Sequence, residues 1–78
     1  MVDTMLLSKK IGESGLKQEY ISNQLGITPA SFRNKMKNRT RFNSTEIAGL
    51  IRILGINTVE VYSIFFTELV DKTATNTN

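Results

Sequence analysis

Between Arg33 and Arg41 the chain carries Arg33, Lys35, Lys37, Arg39 and Arg41, with no acid among them. These nine positions hold five of the ten basic residues of the whole chain. Solvated surfaces usually interleave acids with bases, and a one-sign cluster is the footprint of a phosphate-binding face. Hydrolytic and redox chemistry lack their usual groups. There is no His and no Cys, which removes Ser-His and Cys-His catalysis, thiolate metal sites and histidine acid–base chemistry. The seven carboxylates are scattered along the chain and form no sequence-level pair. No cofactor, metal or small-molecule site is expected, and the chain reads as a non-enzyme.

The elements that carry this cluster can be read from spacing. Ile21 and Leu25 stand four apart and share one helix face. Gly26 follows and can adopt the left-handed backbone that stops a helix. Thr28 offers an N-cap oxygen, and Pro29 suits the first helical position, where its missing N–H is harmless. Phe32 and Met36 then give the next helix a buried face. Stop, cap and restart within three residues make a helix-turn-helix, whose second helix can enter a DNA major groove. At about 100° per residue, Ala30 and Asn34 lie almost opposite Phe32, flanked by Lys37 and Arg33. The exposed stripe is thus one small residue, one amide and two cations. Ala30 could meet a thymine methyl, leaving polar base contacts to Asn34 and Arg33.

At 78 residues the chain is one domain. A chain this short buries only about 60% of the surface its unfolded form exposes. It needs nearly every apolar residue in one core, or a core shared with a partner. The net charge is +3 and the pI is near 9.5. No apolar run reaches the roughly 18 residues of a membrane span, and no signal pattern opens the chain. A cytoplasmic location is expected.

Asp3 or Thr4 can cap a first helix to about Ser14, with Leu6, Leu7 and Ile11 facing inward. A second helix starts near Lys17, and the third runs from Pro29 to about Lys37. Ser22 is the small residue where the inner helices cross. Phe42 should anchor the loop that follows. Asn43 and Glu46 make a capping-box pair for a fourth helix, in which Ile47, Leu50, Ile51 and Leu54 form the clearest amphipathic stripe. Gly55 stops it. Asn57 or Thr58, with Glu60, caps a fifth helix predicted to reach about Val70. That helix is too apolar for one packed stripe, and Val61, Ile64, Phe65 and Leu69 are the expected subunit or partner interface. The domain is expected to span 1–70, and 71–78 to be a disordered polar tail.

The segment from Leu16 to Ile56 resembles the Cro/repressor (Xre-type) helix-turn-helix family of temperate phages and their bacterial relatives. Gln18, Ile21, Ser22, Leu25, Gly26, Ile27, Ser31, Phe32, Phe42, Glu46, Ile47 and Leu54-Gly55-Ile56 carry the resemblance. It implies a compact all-α, five-helix lambda-repressor-like domain that binds double-stranded operator DNA, usually as a homodimer. By position it implies base reading by the stretch from Thr28 to Ser31 with Asn34, a backbone contact from Gln18, and a phosphate grip by Arg39 and Arg41. Together with the residue reading, the expected base readers are Thr28, Ala30, Ser31, Arg33 and Asn34, and the expected phosphate contacts are Lys17, Gln18, Lys37, Asn38, Arg39 and Arg41. Two departures stand out. Pro29 and Ala30 replace the glutamines common in the family, and Lys35 stands where an apolar residue is usual, with Met36 taking that role. A regulator acting at an operator is therefore expected. The alternative is an antirepressor-like modulator that kept the fold and binds a partner phage repressor.

Overall fold

Asp3 opens the chain's first helix: its carboxylate accepts from the Leu6 N–H at 3.1 Å. In this computed structural model, residues 2–67 are described. Five helices follow one another: α1 (Thr4–Ser14), α2 (Gln18–Leu25), α3 (Pro29–Met36), α4 (Ser44–Leu54) and α5 (Thr58–Phe65). No strand occurs among the described residues. Gly15, Gly26 and Gly55 end three of the helices with φ of 72°, 73° and 64°. That left-handed region strains any residue with a Cβ, so these stops are written in the glycines.

Both capping boxes form. Asn43 Oδ1 accepts from the Glu46 N–H at 2.8 Å, and Glu46 Oε1 accepts from the Asn43 N–H at 2.9 Å. Asn57 and Glu60 repeat the exchange at 2.9 and 3.2 Å. Asn43→Ala should cost about 1 kcal/mol by loss of the cap. In a domain this small that lowers the melting temperature by about 4–8 °C, which thermal circular dichroism reads directly.

The core is a single cluster: Leu7 and Ile11 from α1, Ile21 from α2, Phe32 from α3, Phe42 from the loop, Leu50 from α4, Ile56, and Ile64 and Phe65 from α5. The helices close into a compact all-α globule. α2 packs on α3 and α4, and α1 packs on α4 and α5. Ser22 is fully buried and donates its hydroxyl to the Glu19 carbonyl at 2.8 Å, so its polar atom is paired. At Gly49 the approach is closer still. A Cβ there would lie 2.6 Å from Leu25 Cδ2. The small residues Ser22 and Gly49 are what allow α2 into this core. None of the described helices is long and apolar enough to cross a membrane.

The structure corrects two expectations about α5. The helix does not run to Val70: it ends at Phe65, and Phe66 leaves helical geometry at φ −127°, ψ 46°. Leu69, Val70 and the expected 71–78 tail lie outside the described residues. Ile64 and Phe65, expected at an interface, are core residues only 2% and 5% exposed, and Val61 packs half-buried against them. The outward face of α5 is instead Val59, Tyr62 and Phe66, all exposed, with Met5 and Leu6 exposed on α1. The reason is physical. α5 is apolar nearly all round, so its periodicity carries no phase, and only packing against α1 selects the inward arc. Asp3 donates its N–H to the Ile64 carbonyl at 2.7 Å, which fastens the end of α5 to the start of α1. Lys10 Nζ, 2.7 Å from Glu60 Oε2, adds a second α1–α5 tie. That hydrogen bond holds the Glu60 carboxyl below the usual carboxylate range and raises Lys10 above the usual lysine value.

Candidate nucleic-acid interface

The α2–α3 corner is fixed by backbone chemistry. At Gly26 the chain turns left-handed; its N–H donates to the Asn23 carbonyl at 3.1 Å, and the Ile27 N–H to the Ser22 carbonyl at 3.0 Å. This double closure satisfies carbonyls of the last turn of α2. Two residues later Thr28 Oγ1 accepts from the Ser31 N–H at 3.1 Å, with Pro29 at the first helical position. The first turn of α3 therefore starts capped, and Thr28, Pro29 and Ala30 are all exposed.

Phe32 sets the rotation of α3. It is fully buried and meets the Phe42 ring edge-on, 6.0 Å between centroids at 67°. With Phe32 inward, Ala30, Arg33 and Lys37 lie exposed, while Ser31 and Asn34 are half-buried. Of the residues expected to read bases, Thr28, Ala30 and Arg33 thus stand free on the surface, and Ser31 and Asn34 sit at its edge. α3 ends one residue earlier than expected, with Lys37 as its C-cap.

The loop after α3 has a defined start. Asn38 takes φ of +59°, the one non-glycine residue with positive φ among those described. Its N–H donates to the Lys35 carbonyl at 3.1 Å, and the Arg39 N–H donates to the Asn34 carbonyl at 3.0 Å. The same closure seen at Gly26 is here made by asparagine, which tolerates the left-handed region better than most residues. Asn38 Nδ2 also donates to the Val2 carbonyl at 3.2 Å. Expected among the phosphate contacts, Asn38 has an amide hydrogen already engaged with the N-terminal segment. Lys37, Arg39, Thr40 and Arg41 are exposed, and Phe42 returns the chain to the core. Lys17 and Gln18 are exposed at the start of α2, where no side chain caps the first turn. The positive end of that helix dipole is open to an anion.

Lys35 behaves differently from its neighbours. By sequence it belongs to the one-sign cluster. Its ammonium instead lies 2.9 Å from Glu46 Oε1, with the two side chains 12% and 7% exposed. It also donates to the Arg41 carbonyl at 3.0 Å and sits 5.9 Å from the centre of the Phe42 ring. The exposed cations around α3 are therefore Arg33, Lys37, Arg39 and Arg41. Among the described residues no carboxylate pairs with any of them. The signal for Lys35 was present in its position: Phe32, Lys35 and Met36 share the inward face at i, i+3 and i+4.

The result is a helix end that exposes Thr28 and Ala30, with Ser31 and Asn34 at its edge, followed by a loop of exposed cations that pair with no carboxylate among the described residues. No family model matches the chain, and comparison with curated proteins and with solved structures returns no match either.

Proposed function

We propose that the chain is a double-stranded DNA-binding regulator of the Cro-like, helix-turn-helix kind, with α3 as its recognition helix. One observation carries the reading: an exposed helix start capped by Thr28 and opening on the small residues Pro29 and Ala30 leads into Arg39 and Arg41, which pair with no carboxylate among the described residues. Cations of this kind supply sequence-independent affinity, and the helix side chains supply register and choice of sequence. Lys17 and Gln18 complete the grip from the start of α2. The regulator acts by occupying an operator and excluding polymerase or a competing repressor. A homodimer on a two-fold site, with half-sites about one helical turn apart, suits a domain this small.

A second reading draws on the exposed apolar side chains Val59, Tyr62 and Phe66, 76%, 47% and 41% exposed, with Met5 at 84%. These suit contact with a protein, whether a second copy or a partner phage repressor, and the modulator alternative rests on them.

Selection of bound duplexes from a random pool, followed by salt titration of the winner, tests the leading reading. An enriched palindrome with affinity falling steeply as salt rises is expected. In the same assay Asn34→Ala should relax preference at one base position, by about 1–3 kcal/mol of lost discrimination. Absence of binding at moderate salt, with capture of the partner repressor in a DNA-free pull-down, would replace this reading by the modulator.

A further inference from the structure

We propose that Lys35 is a positioning residue: half-buried against Glu46, it holds the basic loop 37–43 in the shape that presents Arg39 and Arg41. The proposal rests on the DNA reading above and goes beyond it, because it assigns Lys35 to shaping the loop and not to contact with nucleic acid.

The geometry is a four-way junction. Lys35 Nζ donates to Glu46 Oε1 at 2.9 Å and to the Arg41 carbonyl at 3.0 Å. The same Glu46 oxygen accepts the Asn43 N–H at 2.9 Å. Between Arg41 and Asn43, the Phe42 ring lies under the ammonium and against Phe32. One half-buried cation from α3 thereby holds the last residues of the loop to the first turn of α4. The loop's other end is closed by the left-handed Asn38. A short loop fastened at both ends leaves its middle residues few conformations, so Arg39 and Arg41 lose less entropy on meeting phosphate. A buried ion pair is weak evidence for stability, since an apolar pair of similar size often serves as well. Its specific consequence here is the bond to the Arg41 carbonyl, which an apolar residue at position 35 cannot make.

The double variant Lys35→Met/Glu46→Gln separates these roles. It removes one charge of each sign, so the formal net charge stays +3. The glutamine side chain at position 46 keeps an oxygen for the Asn43 N–H, so the capping box survives. The proposal expects a folded protein in which the backbone order parameters of residues 39–42 fall from about 0.85 toward 0.6. It expects affinity for the selected duplex to fall about tenfold, the equivalent of one charged contact. An ordered loop in that variant, or wild-type affinity, would overturn it.

The single variant Glu46→Gln provides a second test that does not depend on the double variant folding. It reduces the Lys35–Glu46 ion pair to a neutral hydrogen bond and retains the capping box. A looser loop over residues 39–42 is the expected result; an unchanged loop together with tighter DNA binding would make Lys35 a phosphate contact and overturn the proposal. Should the wild-type chain bind no duplex at all, the DNA reading falls. Loop order in the free protein then still decides whether Lys35 sets its shape.

Discussion

Phe32→Ala should remove about 3–5 kcal/mol of the stability of the fold, a large share of the total, and disorder the α3 surface with it. Phe32 is the largest fully buried side chain, and it is the one residue of α3 in the buried core. Truncating a buried phenylalanine costs about 3–5 kcal/mol, from lost burial and the cavity left behind. A domain of this length has a total stability of about 4–12 kcal/mol. The loss is compounded because Phe42 depends on the same edge-on contact, and Phe42 anchors the basic loop. Thermal unfolding followed by circular dichroism should show the midpoint lower by more than about 10 °C. Phe32→Leu, which keeps much of the volume, should retain most of the fold. A Phe32→Ala protein with a near-normal midpoint would mean that α3 is held by something other than this core contact.

The second large effect concerns the free cations. Arg39→Ala and Arg41→Ala together should weaken binding to every duplex, specific or not, by about a hundredfold. Each removed guanidinium is a charge-assisted contact of about 1.5 kcal/mol, and about 1.4 kcal/mol is a factor of ten. The slope of log affinity against log salt should fall by about 1.8, since each phosphate contact contributes about 0.9. The preferred sequence should not change, because phosphate contacts set register and carry no base information. The fold should be intact, since both side chains are exposed and neither pairs with a carboxylate among the described residues. An unchanged salt slope would remove this loop from the interface. A changed base preference would make it a reader instead.

Much of the architecture is legible residue by residue. Four of the five helix starts coincide with a capping side chain, because a cap is a local effect of one residue on the backbone beside it. Thr28 and Asn43 cap as their types and positions predict, and of the pairs the sequence left open, Asp3 caps and not Thr4, and Asn57 and not Thr58. α2 is the exception: Lys17 stands at its N-cap with no side-chain bond. Three of the stops coincide with glycine for an equally local reason. The stripe of Ile47, Leu50, Ile51 and Leu54 packs toward the core because its spacing matches the helical period. The α2–α3 corner is likewise local: Gly26, Thr28 and Pro29 specify it within a few residues.

Where sequence and structure part, the deciding interaction is not local. Lys35 reads as part of a basic run, and its partner Glu46 is eleven residues away across a loop. Asn38 closes α3 because the chain must turn back toward Phe42's place in the core. Ile64 and Phe65 read as available for a partner, yet they are buried, and Val59, Tyr62 and Phe66 take the outside. Composition says that α5 is more apolar than one face needs. It does not say which arc meets α1.

The sequence by itself thus determined where most helices begin, most of where they stop, and that one cluster of positive charge follows the capped third helix. Those properties depend on backbone sterics, short-range hydrogen bonds and residue type. The tertiary structure decided which of the five clustered cations are exposed, which arc of α5 is exposed, and how the basic loop is held. Those depend on contacts between residues distant in the chain, whose free energies appear only when the core closes around Phe32.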